Sequence, residues 1–142
     1  ELAQGFVVVM PRRVLFIGNS YTKRNALPEV VAAVAEGMGE TLFTAMEAEG
    51  GATLEHLSSG RAMTLARDGG WDAVVLQEQS TRPVKDPERF IQYGKAFHAA
   101  VRKSSPDCIT VLYNTWVKKG STAEQQGKLD EAYGRLATEL RK

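Results

Sequence analysis

The sequence has few of the residues that form disulfide frameworks or metal centres, and its charges nearly balance. Cys108 is the only cysteine, so an internal disulfide is excluded, and with only two histidines we expect no metal cluster and no cofactor. Because Cys108 follows Asp107 and precedes an apolar run, we expect a buried, inert thiol. The formal net charge of +1 favours neither nucleic acid nor an anionic membrane as a partner.

Long apolar runs, internal repeats and low-complexity segments are also missing. No run approaches the ~20 apolar residues that span a bilayer, and residues 6–10 are too short for a signal-peptide core. We therefore expect no membrane contact and a cytoplasmic or unassigned compartment. Residues 1–9, which precede Met10, are interpreted as a leader or a remnant of cloning, and residues 10–142 as one domain.

Apolar runs alternate with helical patterns four times along the chain. The runs predict strands over residues 14–17, 41–48, 72–76 and 109–113, and the helical patterns predict helices over residues 27–38, 53–68, 87–103 and 121–142. The second helix is interrupted at residues 58–60. Asp86 is predicted to cap the third helix, and residues 82–87 to form a loop before it.

This alternation is typical of an α/β fold with a parallel sheet and helices on both faces. We expect a three-layer, flavodoxin-like strand order, with the chemistry at the carboxyl ends of the strands, near residues 18–22, 50–53, 77–81 and 114–116. A fifth strand is usual in such sheets and is not found here. We therefore expect a domain incomplete at its C-terminal end, with an open edge on the fourth strand that invites self-association.

Ser20 lies in the turn between the first strand and the first helix. A serine in this place is exposed above the sheet, and its N–H, near a helix N-terminus, can face a developing oxyanion. The same pattern is compatible with an ordinary turn in which Ser20 or Thr22 caps the helix. The pattern by itself leaves both interpretations open.

Three sequence blocks, in order, resemble those of the SGNH (GDSL-like) hydrolases. They are residues 14–22, which contain Gly-Asn-Ser, residues 50–54 (Gly-Gly-Ala-Thr-Leu), and residues 71–80, which end in Leu-Gln-Glu-Gln-Ser. The chain is similar to a branch with these Gly-Asn-Ser and Leu-Gln-Glu-Gln-Ser motifs, from about Arg13 onward. The resemblance implies the SGNH fold and a carboxylic ester hydrolase, acting on small esters or on O-acetylated carbohydrates.

The resemblance also implies a role for individual residues. Ser20 would be the nucleophile and would lend its N–H to an oxyanion hole. Gly51 would supply a second N–H, with Gly50 as the alternative by one position. The third donor of the family is an asparagine, and Gln79 occupies the corresponding position in this sequence. A glutamine amide can donate the same hydrogen bond from a longer side chain. Gln77 is the fallback for this donor.

The sequence departs from the family in its catalytic base. The family takes an aspartate and a histidine from an Asp-x-x-His motif, and none occurs in this sequence. Because a serine hydroxyl is a weak nucleophile without an adjacent base, we expect impaired turnover. His56 and Glu78 are the candidate accessory groups within the chain, with Asn19 beside the nucleophile, while His98 is a weaker candidate.

Other functions remain open at this point. A non-catalytic SGNH-like module would bind an acylated ligand or a partner chain. A flavodoxin-like cofactor binder would wrap a phosphate with residues 20–22, although no glycine-rich phosphate loop follows the first strand. Tyr21, Trp71 and Trp116 are either packing residues or the lining of an acyl or sugar pocket.

Overall fold

The computed structural model describes Gly5 and residues 10–142, which form four strands and seven helices. The strands are β1 (Arg12–Gly18), β2 (Leu42–Ala48), β3 (Ala73–Leu76) and β4 (Ile109–Leu112). The helices are α1 (Ser20–Lys23), α2 (Leu27–Gly37), α3 (Leu54–Ser58), α4 (Arg61–Asp68), α5 (Arg82–Lys85), α6 (Pro87–Ser104) and α7 (Ala123–Leu140). A 3-10 turn at Arg24–Ala26 joins α1 to α2.

The four strands form one parallel sheet in the order β2-β1-β3-β4. In the register, Phe16 of β1 pairs with Met46 on one side and with Val75 on the other. Because β2 and β3 flank β1 on opposite sides, right-handed crossovers place α2 on one face of the sheet and α4 on the other. The predicted three-layer, flavodoxin-like α/β architecture is therefore confirmed.

The core lies between the sheet and the helix layer that contains α4, α6 and α7. Its fully buried side chains include Leu15, Ile17, Phe97 and Leu136. A Cβ at Gly94 of α6 would come within 2.5 Å of a Leu136 methyl carbon, so glycine allows the close approach of α6 and α7. Cys108 is buried as expected, and burial, reinforced by the nearby carboxylate of Asp72, raises the pKa of its thiol to about 11.

The predicted strands and long helices are confirmed to within a few residues at their ends. Asp86 caps α6 as predicted, since its Oδ1 accepts a hydrogen bond from the Arg89 N–H at 3.2 Å. The loop predicted over residues 82–87 is wrong, because Arg82–Lys85 form the helical turn α5. Pro83 fits this turn, since its position in the first turn needs no N–H donor.

Three further expectations concern the N-terminal residues, a membrane span and the edge of the sheet. Residues 1–4 and 6–9, most of the leader or cloning remnant, lie outside the described residues. Within the described range, none of the helices has the length and hydropathy needed to cross a bilayer. Among these residues no strand pairs with the outer edge of β4, where Ile109 and Val111 are 63% and 44% exposed.

Candidate active site

A cavity of about 310 Å³ opens at the carboxyl edge of the sheet, beyond the ends of β1 and β3. Parallel α/β sheets bind their ligands at this edge. It is lined by Asn19, Ser20, Tyr21, Arg24, Gly51, Gln79, Ser80 and Lys118. The fold thus brings together three segments, which follow β1, β2 and β3 and carry Ser20, Gly51 and Gln79.

Ser20 is the first residue of α1, a helix capped by the residue before it. Asn19 is 3% exposed, and its Oδ1 accepts a hydrogen bond from the Tyr21 N–H at 3.1 Å. The residue that caps α1 is therefore Asn19, and not Ser20 or Thr22. The side chain of Asn19 is held in this position by a hydrogen bond from Gln77, which follows β3. As the first helical residue, Ser20 has no acceptor for its N–H within the helix.

Gln77 holds this turn from the end of the neighbouring strand. It is fully buried; its Oε1 accepts from the Asn19 N–H at 3.0 Å and from the Thr22 hydroxyl at 2.9 Å. Its Nε2 donates to Asn19 Oδ1 at 2.8 Å and to the Glu78 carbonyl at 2.6 Å. Both amide hydrogens of Gln77 thus have partners inside the protein. The Thr22 hydroxyl is buried and bonded, unlike a hydroxyl that would hold a phosphate.

Gly51 lies in a tight turn after β2. The turn is closed by a hydrogen bond of 3.1 Å from the Ala52 N–H to the Glu49 carbonyl, and Gly51 has φ +71°, which glycine adopts without strain. Asn19 Nδ2 donates to the Ala52 carbonyl at 3.4 Å, which ties this turn to the Ser20 turn. Among the described residues, the N–H groups of Ser20 and Gly51 donate to no protein acceptor. Of the two glycines, Gly51 lines the cavity and Gly50 does not.

The side chain of Gln79 is anchored by its oxygen. Gln79 Oε1 accepts from the N–H and the hydroxyl of Thr81 and from the Arg82 N–H, each at 2.9 Å. These three donors fix which end of the amide is oxygen, so the Nε2 end is directed away from them. Because Gln79 is half-buried and lines the cavity, its amide is held there by the start of α5.

The ionisable candidates from the sequence lie outside the cavity lining. Glu78 is 1% exposed, rather than an exposed loop acid, and burial raises the pKa of its carboxyl. His56 is exposed, with Nε2 2.8 Å from Glu49 Oε2. His98 lies 2.8 Å from the Thr110 hydroxyl, and burial lowers its pKa. Among the residues that the structure describes, none that lines the cavity is a histidine, aspartate or glutamate.

Two cations and a serine of the lining were not identified from the sequence. Arg24 and Lys118 are exposed, and neither forms a salt bridge with another described residue. Their charge makes the cavity favourable for an anion. The segments that connect strands and helices contain Arg24, Ser80 and Lys118. From the sequence, the only sign that these residues line the cavity is that each follows the carboxyl end of a strand.

The aromatic candidates divide into two groups. Tyr21 and Trp116 meet edge to face, with ring centroids 5.0 Å apart, and line a second cavity of about 210 Å³ that adjoins the first at Tyr21. Trp71 lies instead at the amino end of β3, 4% exposed, and donates to the Leu65 carbonyl at 2.7 Å. Trp71 is a packing residue.

The solved structures that are similar to this chain include SGNH hydrolases. A candidate SGNH hydrolase from Slackia heliotrinireducens is 26% identical, with a TM-score of 0.74 over 92% of this chain and 76% of its own. AlinE4, an SGNH-hydrolase family esterase, is 13% identical, with a TM-score of 0.74 over 95% and 75%. TesA is 12% identical, with a TM-score of 0.73 over 92% and 75%.

The fold of this chain is therefore the SGNH-hydrolase fold, as the sequence blocks predict, and the chain spans about three quarters of the length of these structures. No protein-family model matches the chain, and no curated protein matches it.

Proposed function

We propose that the chain is a serine carboxylic ester hydrolase with Ser20 as the nucleophile. The observation that carries the proposal is that Ser20, Gly51 and Gln79, from three separate segments, line one cavity. Two of them have an N–H without a protein acceptor among the described residues, and the third has an oriented amide. Hydrogen-bond donors that line one cavity in this way can stabilise an oxyanion.

The chemistry is acyl transfer. Hydroxide takes the proton of the Ser20 hydroxyl as Oγ attacks the ester carbonyl carbon. The carbonyl oxygen becomes an oxyanion that accepts from the N–H groups of Ser20 and Gly51 and from Gln79 Nε2. Collapse of this tetrahedral species releases the alcohol, which takes a proton from water. Water then hydrolyses the acyl-serine to the carboxylic acid and restores the Ser20 hydroxyl. Arg24 and Lys118 add positive charge around the oxyanion.

We assign a small ester or an O-acetylated sugar as the substrate. The support is the sequence resemblance together with solved neighbours such as AlinE4, which is described as an esterase. The open cavity and the adjoining aromatic pair of Tyr21 and Trp116 are compatible with a sugar ring.

Turnover by this chain should be slow and should increase with pH. Among the described residues of the lining none is a histidine or a carboxylate, and we infer that hydroxide from solvent takes the proton of the Ser20 hydroxyl. The increase should continue through neutral pH, without the plateau that a histidine base would give.

The test is hydrolysis of p-nitrophenyl acetate by the chain, by Ser20→Ala and by Gln79→Glu. Gln79→Glu keeps the oxygen that binds Thr81 and Arg82 and replaces the donor by an acceptor. We expect Ser20→Ala to abolish turnover above the background, and Gln79→Glu to lower it by about 10²-fold with unchanged stability. Equal rates for the chain and Ser20→Ala would disprove the nucleophile.

A non-catalytic SGNH-like binding module is the second candidate, favoured by the absence of a histidine or carboxylate among the described residues of the lining. It predicts that an acylated ligand binds the chain and Ser20→Ala equally, with no ester turnover by either. A titration with glucose pentaacetate, followed by amide chemical shifts, separates the two candidates. A flavodoxin-like cofactor binder is disfavoured, because the buried Thr22 hydroxyl donates to Gln77.

A further inference from the structure

The buried carboxylate of Glu78 lies behind the cavity rather than in it. Its Oε1 accepts two backbone hydrogen bonds, from the Leu54 N–H at 3.0 Å and from the Gln79 N–H at 2.7 Å. The backbone of Glu78 is itself fixed, since its N–H donates to the Tyr133 hydroxyl at 3.1 Å and its carbonyl accepts from Gln77. One oxygen atom at a fixed position therefore holds two separate chain segments.

These two segments are the ones that carry Gly51 and Gln79. Leu54 begins α3 and follows Gly51 by three residues. Two residues lie between them. Ala52 donates its N–H to the Glu49 carbonyl and accepts from Asn19 at its own carbonyl, and the Thr53 side chain caps α3 by accepting from the His56 N–H. Little freedom remains between the bond at Leu54 and the N–H of Gly51. A displacement of Glu78 Oε1 would thus move the donors of Gly51 and Gln79 relative to each other.

Burial of a carboxylate is unfavourable unless its bonds compensate for the lost hydration. An apolar side chain after β3 would fill the same volume, but it would leave the N–H groups of Leu54 and Gln79 without an acceptor. The carboxylate is therefore the group that joins the two segments. Preorganised donors must keep their geometry before the substrate arrives, and small displacements of them are costly to the rate.

We propose that Glu78 is a positioning residue that sets the spacing of two oxyanion donors, Gly51 and Gln79. This inference rests on the proposed ester hydrolase function. It assigns to Glu78 neither contact with the substrate nor transfer of a proton.

The test compares two variants of Glu78 with a matched control. Glu78→Gln keeps an oxygen that can accept from Leu54 and Gln79, whereas Glu78→Met has a similar length and no acceptor. Asp72→Leu is the control, because Asp72 Oδ2 also accepts a backbone hydrogen bond, from the Arg13 N–H at 2.7 Å, at the opposite end of the sheet. We expect Glu78→Met to lower kcat for p-nitrophenyl acetate by about 10- to 100-fold with little change in KM.

Glu78→Gln should restore kcat to within about threefold of the parent chain, and Asp72→Leu should lower stability without lowering kcat. A purely structural role would give Glu78→Met and Asp72→Leu the same kinetic profile, and that outcome overturns the proposal. If Glu78→Met does not fold, Glu78→Asp replaces it, because a side chain one methylene shorter cannot reach both N–H groups.

Amide hydrogen exchange gives a readout that does not depend on turnover. In Glu78→Met the amides of Leu54 and Gln79 should exchange at least about 10-fold faster, while those of β1 stay unchanged, and Glu78→Gln should restore them. Unchanged exchange at both amides overturns the proposal even if Ser20→Ala shows that Ser20 is the nucleophile. If Ser20→Ala leaves turnover intact, the hydrolase proposal fails. Faster exchange confined to the amides of Leu54 and Gln79 would then show only that Glu78 joins the two segments, and not that it positions oxyanion donors.

Discussion

Gln77 and Asn19 bind each other reciprocally across two neighbouring strands. Gln77 Nε2 donates to Asn19 Oδ1 at 2.8 Å, and the Asn19 N–H donates to Gln77 Oε1 at 3.0 Å. Both residues are buried, and Asn19 immediately precedes Ser20. The position of Ser20 is therefore fixed relative to the end of β3, the strand that also leads to Gln79.

The first prediction concerns this buried pair. Gln77→Leu leaves the Asn19 N–H and the Thr22 hydroxyl without their acceptor, and each buried unpaired group costs about 1–3 kcal/mol. We expect the free energy of unfolding in urea to fall by about 2–4 kcal/mol. Gln92→Leu, the same change on the exposed side of α6, is the control and should have little effect. Equal losses in the two variants would contradict the role of the pair.

The second prediction uses Gly18, the last residue of β1. A Cβ at Gly18 would come within 2.5 Å of Gln77 Oε1 and would also collide with the Thr22 hydroxyl oxygen. Gly18→Ala should therefore displace the Gln77 amide and lower the free energy of unfolding by about 1–3 kcal/mol. It should also lower Ser20-dependent turnover.

Gly127→Ala is the matched control, because Gly127 lies inside α7 with open space where a Cβ would be. This variant should be more stable than the parent chain by about 0.5–1 kcal/mol. Thermal unfolding monitored by circular dichroism measures both variants. A Gly18→Ala variant with the parent's melting temperature would show that the turn tolerates the shift.

The third prediction concerns the pH dependence of stability. Burial raises the pKa of Glu78 above its ordinary value of 4.5, and the nearby carboxylate of Glu55 adds to this increase. The backbone hydrogen bonds to Glu78 and the charge of Arg82 lower the pKa, but burial has the larger effect. The folded state therefore binds this proton more tightly than the unfolded state does. The resulting stabilisation is present below about pH 4.5 and is lost as the pH rises through the folded pKa.

Glu78→Gln carries no ionisable group at this position. The difference in free energy of unfolding, variant minus parent, should therefore increase in favour of the variant as the pH rises from about 4 to 8. Urea denaturation across this range measures it. A difference independent of pH would mean that the pKa of Glu78 is the same in the folded and unfolded states.

The strands and the sheet could be predicted from the sequence because they depend on local patterns. The run at residues 14–17 is fully apolar and is buried on both faces of β1. The burial of Glu78 could not be predicted, since its N–H donates to the hydroxyl of Tyr133, 55 residues away in the sequence. The position of the Asn19 cap likewise depends on the amide of Gln77, which is 58 residues away in the sequence.

The fourth prediction is self-association through the outer edge of β4. Ile109 and Val111 project from this edge strand and are 63% and 44% exposed. Unpaired backbone beside exposed apolar side chains favours pairing with a second copy. Sedimentation velocity should show dimers that Ile109→Lys disperses. Met38→Lys, at an exposed residue after α2, should leave them intact. A concentration-independent monomer would contradict this prediction.

The most direct test of the central claim is to trap the acyl-serine. The chain is incubated with p-nitrophenyl acetate at alkaline pH, quenched in acid, digested and mapped by mass spectrometry. If Ser20 is the nucleophile, one acetyl group should be found on Ser20, absent in Ser20→Ala and strongly reduced in Gln79→Glu. The contradicting result is acetylation only at exposed lysines such as Lys118, with Ser20 unmodified. In that case Ser20→Ala and Gln79→Glu would release p-nitrophenolate at the same rate as the parent chain.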